Sequence, residues 1–152
     1  MKKSKTPNDS QIIMTEIVFP NDTNPVGILQ GGRLMHWMDT ASAICALTHS
    51  EKISVTASID RVVFKNPIYI GDIVTIKAKI TRAFTTSMEI FVEVRTRKIK
   101  NSTDKITNSA YFTFVALNKS VKPSKVPALT VITDDEKKEY VNAEKRKIAR
   151  NI

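Results

Sequence analysis

From Gln11 to Phe19 the chain reads QIIMTEIVF, a run of β-branched and apolar positions that predicts a strand, and PNDTNP stops it with turn-forming residues. A loop follows, ending in glycines, and the period then changes. Between about Gly32 and about His49 the sequence GRLMHWMDTASAICALTH holds no proline and no further glycine, long enough for roughly five helical turns or ~27 Å. Leu34, Met38, Ala41 and Cys45 fall on one stripe of that helix, while Met35, Ala43 and Leu47 widen its apolar surface on the flanks. Such a helix calls for covering on most sides.

Beyond the helix the period drops to two. ISVTASIDRVVF alternates until KNP ends it, and DIVTIKAKITRAF alternates in turn. SMEIFVEVRTRKI puts Met88, Ile90, Val92 and Val94 on one face, and ITNSAYFTFVALN carries Tyr111, Phe112 and Phe114. Four long strands in succession predict an antiparallel meander that turns at PIYIGD, FTT and KNSTDK. One strand, one long helix and a run of strands is the order of an α+β domain whose sheet covers the helix. After Asn118 the composition shifts, and TDDEKKEYVNAEKRKIAR begins acidic and ends basic, as a surface helix complementing its own dipole does. The expected organisation is a basic N-terminal tail over 1–10, one domain over 11–130 and a charged helix or tail over 131–152.

Composition adds exclusions. A chain of 152 residues, 41% hydrophobic and 26% charged, fits one globular domain that buries ~70% of its unfolded surface, and is neither fibrous nor disordered. The lone Cys45 rules out an internal disulfide and reads as a buried thiol. MKKSK is followed by no apolar segment, and no run approaches the ~18 apolar residues of a membrane span, so cytoplasm is the expected location. The net charge of +9 favours an anionic partner: nucleic acid, anionic lipid or a phosphorylated small molecule. Much of it sits at the two ends, so charge does not choose among them. Gly-x-Ser-x-Gly, His-Glu-x-x-His, phosphate-loop and dinucleotide glycine patterns are all missing, and no metal set is expected.

Three of the four glycines lie in NPVGILQGG. Gly31 and Gly32 stand where a helix begins, and its first N–H groups are free to hold developing negative charge on a carbonyl; the bland alternative is a tight turn against the sheet. Asp39, seven residues beyond Gly32, places a carboxylate in a helix meant for burial, unless it emerges at an edge and pairs with Arg33 or Arg61. His36 is three residues from Asp39, close enough for an acid/base pair, and His49 ends the helix at its negative pole; either histidine also fits a structural role.

NPVGILQGGRLMHWMD, VTASIDRVVFKNPIYIGDIVTIKAKI, TSMEIFVEV, AYFTFVALN and VPAL, in that order and spacing, resemble the hotdog-fold acyl-CoA thioesterases, in the branch of the brain-type cytosolic hydrolases and their single-domain bacterial relatives. The likeness covers about residues 12 to 130. It implies a curved sheet around a central helix, and hydrolysis of acyl-CoA to free acid and CoA without metal or organic cofactor. It also implies a site between two subunits of a homo-oligomer, most simply a trimer of dimers. By resemblance Asp39 acts as general base, or as a nucleophile forming a transient anhydride, Asn24 orients water or substrate, and the backbone near Gly31 and Gly32 polarises the carbonyl. Met35, Trp37 and Met38 would line an acyl channel or simply the core. Arg61, Lys65, Arg82, Ser87 and Lys98 are candidate CoA contacts. Two departures stand out: AFTTSM lacks the Gly-Arg pair that relatives often carry before TSM, and Gln30 replaces a usual His or Phe. Competing readings are a hotdog enoyl-thioester hydratase and a non-catalytic module that binds acyl-CoA or nucleic acid, although no nucleic-acid motif is present.

Overall fold

The structure, a computed structural model, describes residues 3–101 and 103–150; Met1, Lys2, Asn151 and Ile152, in the predicted end segments, and Ser102, in the predicted KNSTDK turn, lie outside the described residues. In chain order the elements are β1 (Ser4–Lys5), α1 (Pro7–Ser10), β2 (Ile12–Ile17), a short 3-10 turn (Pro20–Asp22), α2 (Gly31–Ser50), β3 (Ser54–Phe64), β4 (Ile73–Ala83), β5 (Ser87–Arg97), β6 (Lys105–Ala116), β7 (Ala128–Leu129) and α3 (Asp134–Arg150). The five long strands form one antiparallel sheet in the order β2-β4-β5-β6-β3.

The meander therefore holds only for β4-β5-β6. Expected to pair with β4, β3 instead pairs with β6 at the far edge, from Ser54 opposite Ala116 to Phe64 opposite Asn108. The physical reason is the connection over 65–72, which exceeds the ~2–5 residues of a hairpin loop. It crosses beneath the start of α2, pinned by Leu29 N–H donating to Ile68 O at 2.7 Å and Ile70 N–H donating to Gly27 O at 3.1 Å.

The inner face of the sheet follows the period-two reading. Val74, Ile76, Ala78 and Ile80 of β4, Met88, Ile90, Val92 and Val94 of β5, and Ala110, Phe112, Phe114 and Ala116 of β6 are buried against Leu34, Met38, Ala41 and Cys45 of α2. Burying each large side chain contributes about 1.5–3 kcal/mol, and the burial of Cys45 pushes its thiol up to about 11. Ile44 and Leu47, on the far side of α2, remain exposed, and so do Val55, Ile59, Val62, Val63 and Phe64 along the edge strand β3. One flank of the helix and sheet is thus left uncovered by this chain.

The ends are tied down. Within the expected basic tail, Ser4–Lys5 pairs in parallel with Ala128–Leu129. Lys5 Nζ reaches Thr48 O at 2.8 Å and Glu51 at 3.2 Å, placing a cation at the negative end of α2, where Glu51 adopts φ 56° to close the helix. His49, in the last turn of α2, is buried and bonds Pro127 O through Nε2 at 2.7 Å; burial pushes its pKa down. On the outer face α3 packs over Glu89 of β5, a fully buried carboxylate met by Arg146 Nη2 at 2.7 Å, Arg150 Nη1 at 3.1 Å and the Thr81 hydroxyl at 2.6 Å. At the start of α3, burial raises the Glu136 carboxyl, but Lys79 and the Ile132 and Thr133 N–H groups more than offset it and bring it down to about 2.

Candidate functional site

The loop into α2 is built around Asn24. Its Oδ1 accepts from the Val26 and Ile28 N–H groups at 3.0 and 3.1 Å, its backbone N–H donates to Ile28 O at 2.8 Å, and Gly27 turns the chain at φ 77°. The carbonyl end of the side chain shapes the turn. Its NH₂ makes no hydrogen bond among the described residues.

Gly31 and Gly32 form the first turn of α2, and the N-cap Gln30 makes no side-chain bond to it. Neither glycine has a positive φ, and a Cβ built on either meets nothing within 4 Å. Packing within the chain does not require glycine here, so the tight-turn reading has no support, and the first turn of a helix leaves its N–H groups without intrahelical acceptors.

Asp39 is half-buried, and its Oδ1 accepts from the Thr56 hydroxyl of β3 at 2.7 Å. It makes no ion pair among the described residues; Arg33 pairs instead with Asp22 at 3.3 Å, and Arg61 is an exposed residue at a bulge of β3 with φ 50°. His36 is exposed and forms no pair with Asp39, and the buried His49 bonds the Pro127 carbonyl and feels the charge of Asp9, so among the described residues neither histidine shares a hydrogen bond with Asp39 of the kind an enoyl-thioester hydratase needs. Asp39 also adjoins the uncovered flank, since β3 is the apolar edge strand. Along α2 the step from Gly31 to Asp39 spans ~12 Å at ~1.5 Å per residue.

A cavity of about 220 Å³ opens at the start of α2, lined by Gly31, Leu34, Phe64, Lys65, Asn66 and Asn108 among others. Asn66 and Pro67 also wall a neighbouring cavity of about 400 Å³ that carries Tyr69, Asp72, Arg97, Lys98 and Lys105. Lys98 Nζ bonds both oxygens of Asp72, at 2.8 and 3.0 Å, and lies 4.7 Å from the centre of the Tyr69 ring. The structure thus brings Gly31, Lys65 and Lys98 to two adjoining cavities. It leaves Arg82 and Ser87 elsewhere: Ser87 begins β5 and Lys98 follows its end, ~35 Å apart along a strand rising ~3.3 Å per residue. Arg82 is engaged with α3, through Tyr140 O at 3.1 Å, Glu144 at 3.4 Å and the Tyr140 ring at 4.2 Å. Met38 is core, Trp37 is buried and Met35 half-buried.

Sequence reasoning missed Thr56, Asn108, Arg97 and Lys105. Only Asn108 had a readable signal, as the lone polar residue on the face that Ala110, Phe112, Phe114 and Ala116 present to the core. Among the described residues no helix is long and apolar enough to cross a membrane.

Residues 26–102 match the family described as Thioesterase superfamily. The acyl-CoA thioester hydrolase YkhA of Bacillus subtilis, itself uncharacterised, is 37% identical over 128 residues, covering 84% of this chain and 74% of that protein. The chain spans only 25% of the length of the acetyl-coenzyme A thioesterase of Rattus norvegicus, at 34% identity over 91% of its own. Among solved structures, an acyl-CoA hydrolase from Staphylococcus aureus in complex with butyryl coenzyme A and coenzyme A is 37% identical, covers 97% of this chain and 90% of that one, and superposes with a TM-score of 0.91. Further structures of that hydrolase, all 36% identical with TM-scores of 0.91 to 0.93, replace by alanine an asparagine, an aspartate fifteen residues later and a threonine seventeen beyond that. An apo-hexameric acyl-CoA thioesterase is 34% identical over 99% of this chain and 96% of that one, with a TM-score of 0.94. Fold, ordered motifs and these likenesses agree: the chain belongs to the thioesterase superfamily, among its hotdog-fold acyl-CoA hydrolases.

Proposed function

We propose that this protein hydrolyses acyl-CoA thioesters at a site shared by two copies of the chain, without metal or organic cofactor. The observation that carries the reading is the ~12 Å between the open first turn of α2 and Asp39. Water joins a base to a carbonyl over ~3 Å at each end, so one chain cannot aim both groups at the same thioester. A second copy laid against the uncovered flank of α2 and β3, where Asp39 meets Thr56, supplies the carboxylate to its neighbour's helix start. Asn24, Asp39 and Thr56 stand at the same fifteen- and seventeen-residue intervals as the residues replaced in the Staphylococcus aureus hydrolase, and the hexameric relative agrees with a homo-oligomer built from such dimers.

In the reaction Asp39 takes a proton from water held by the Asn24 NH₂, and the hydroxide adds to the thioester carbon. The N–H groups of Gly31 and Gly32 take the negative charge that develops on the oxygen; removing one donor of this kind typically costs ~100- to 1000-fold in rate. Collapse breaks the carbon–sulfur bond and the CoA sulfur leaves with the proton held by Asp39. Lys65, and Lys98 on leaving Asp72, would meet the phosphates of CoA from the two cavities they border, which gives the net charge of +9 a use.

The test is a panel of acyl-CoAs of varied chain length, with free thiol followed for wild type and Asp39→Ala. Wild type releases thiol and the variant falls ~100-fold or more. No release at any chain length, or full activity in the variant, overturns the reading.

A further inference from the structure

Asn108 lies at an inner position of β6, between Phe64 of β3 and Val94 of β5. It is 2% exposed, and its Oδ1 has no hydrogen-bond partner. A buried acceptor left unpaired costs ~1–3 kcal/mol, and an apolar residue of similar size at this place would remove that cost. Every other inward residue from Ala110 to Ala116 on this strand is apolar. Asn108 lines the cavity in front of Gly31, so the residue that carries the orphan oxygen and the open helix start border one space.

We infer that Asn108 is a substrate-contacting residue whose Oδ1 accepts a hydrogen bond from an amide N–H of the pantetheine arm of CoA. This rests on the proposed acyl-CoA reading. An unpaired acceptor asks for a donor, and the acyl end of a simple thioester has none, whereas the pantetheine arm carries amide N–H groups. Lys65 borders the same cavity, and Arg97, Lys98 and Lys105 border the next one across Asn66 and Pro67. The anionic end of CoA therefore belongs on that side, and the arm between phosphates and thioester passes over Asn108. The contact is equal in ground and transition states, so it sets KM and leaves kcat in place.

The experiment compares wild type, Asn108→Val and Asn108→Thr, two nearly isosteric β-branched residues that suit a strand and differ by one hydroxyl acceptor. CoA affinity is measured by calorimetry, which needs no turnover, so a failure of hydrolysis and a failure of this contact are separate results. The valine variant is expected to bind CoA ~10-fold more weakly with unchanged or raised melting temperature, and the threonine variant to recover part of the loss. With hydrolysis as the readout, the valine variant raises KM by a similar factor for acyl-CoA and for the truncated S-acyl-pantetheine. CoA affinity within twofold of wild type in both variants, equal loss in Val and Thr, a loss confined to kcat, or insensitivity of the truncated substrate each overturns the assignment.

Discussion

Mixing two inactive variants gives the most direct reading of a site shared between chains. Asn24→Ala lacks the water-orienting amide in every site and Asp39→Ala lacks the base, so each alone is expected to fall ~100-fold or more. On the proposed mechanism, the ~12 Å rise from Gly31 to Asp39 puts the groups serving one thioester on opposite chains. In a mixed dimer one site then takes Asn24 from the Asp39→Ala chain and Asp39 from the Asn24→Ala chain, and is intact, while the other site lacks both. Equal amounts reassorted at random place half of the dimers in the mixed class with one working site in two, so thiol release returns to about 25% of wild type at equal chain concentration. The assay is thiol release after dissociation and reassembly, with differently tagged chains to count mixed dimers. Mixed dimers formed in the expected proportion with no recovery of activity refute the trans arrangement and the distance reasoning beneath it.

Arg146→Met leaves Glu89 buried with one arginine fewer and is expected to cost about 3–5 kcal/mol in denaturant unfolding; Glu89→Leu combined with Arg146→Met recovers much of that loss, and a single variant within about 1 kcal/mol of wild type contradicts it. His49 has its pKa lowered from 6.5 by burial, so below that value the unfolded chain binds a proton that the folded one refuses, and stability falls as pH falls. From about pH 7.5 to about pH 5.5 the melting temperature of wild type should drop more than that of His49→Gln, and parallel drops would exclude His49 as the source. Thr56→Val removes the hydroxyl that holds Asp39, and kcat should fall ~10-fold at unchanged KM and melting temperature; an unchanged kcat rules out a positioning role.

The elements were legible because their periods were clean. Leu34, Met38, Ala41 and Cys45 face the sheet as the 3.6 spacing requires, and Met88 to Val94 face the helix as the period of two requires. Pairing was less legible, since β3 has the same alternation wherever it pairs, and only the crossing of 65–72 beneath Leu29 assigns it to β6. The grip of α3 on the sheet was invisible because Glu89 and Arg146 are 57 residues apart and each alone reads as a surface charge. At the site, the sequence pattern set Gly31 and Gly32 at the start of the helix that carries Asp39, which already gives their spacing along its axis, but the Thr56 contact needed coordinates.

The strand order β2-β4-β5-β6-β3 also bears on how the chain is made. Both edge strands and the central helix emerge from the ribosome first, while the three strands between those edges follow from Ile73 onward. Until β6 is complete at Ala116, β3 has no partner and the floor beneath α2 lacks its last central strand. Hairpin pairing of β4, β5 and β6 is local and fast, and closure of the sheet at β3 is the long-range step that pays the larger loop entropy. The first half of the nascent chain thus waits with an apolar edge exposed, the interval in which such a chain is most prone to aggregate. The edge strand on which the proposed second copy docks is therefore also the last to be paired during synthesis.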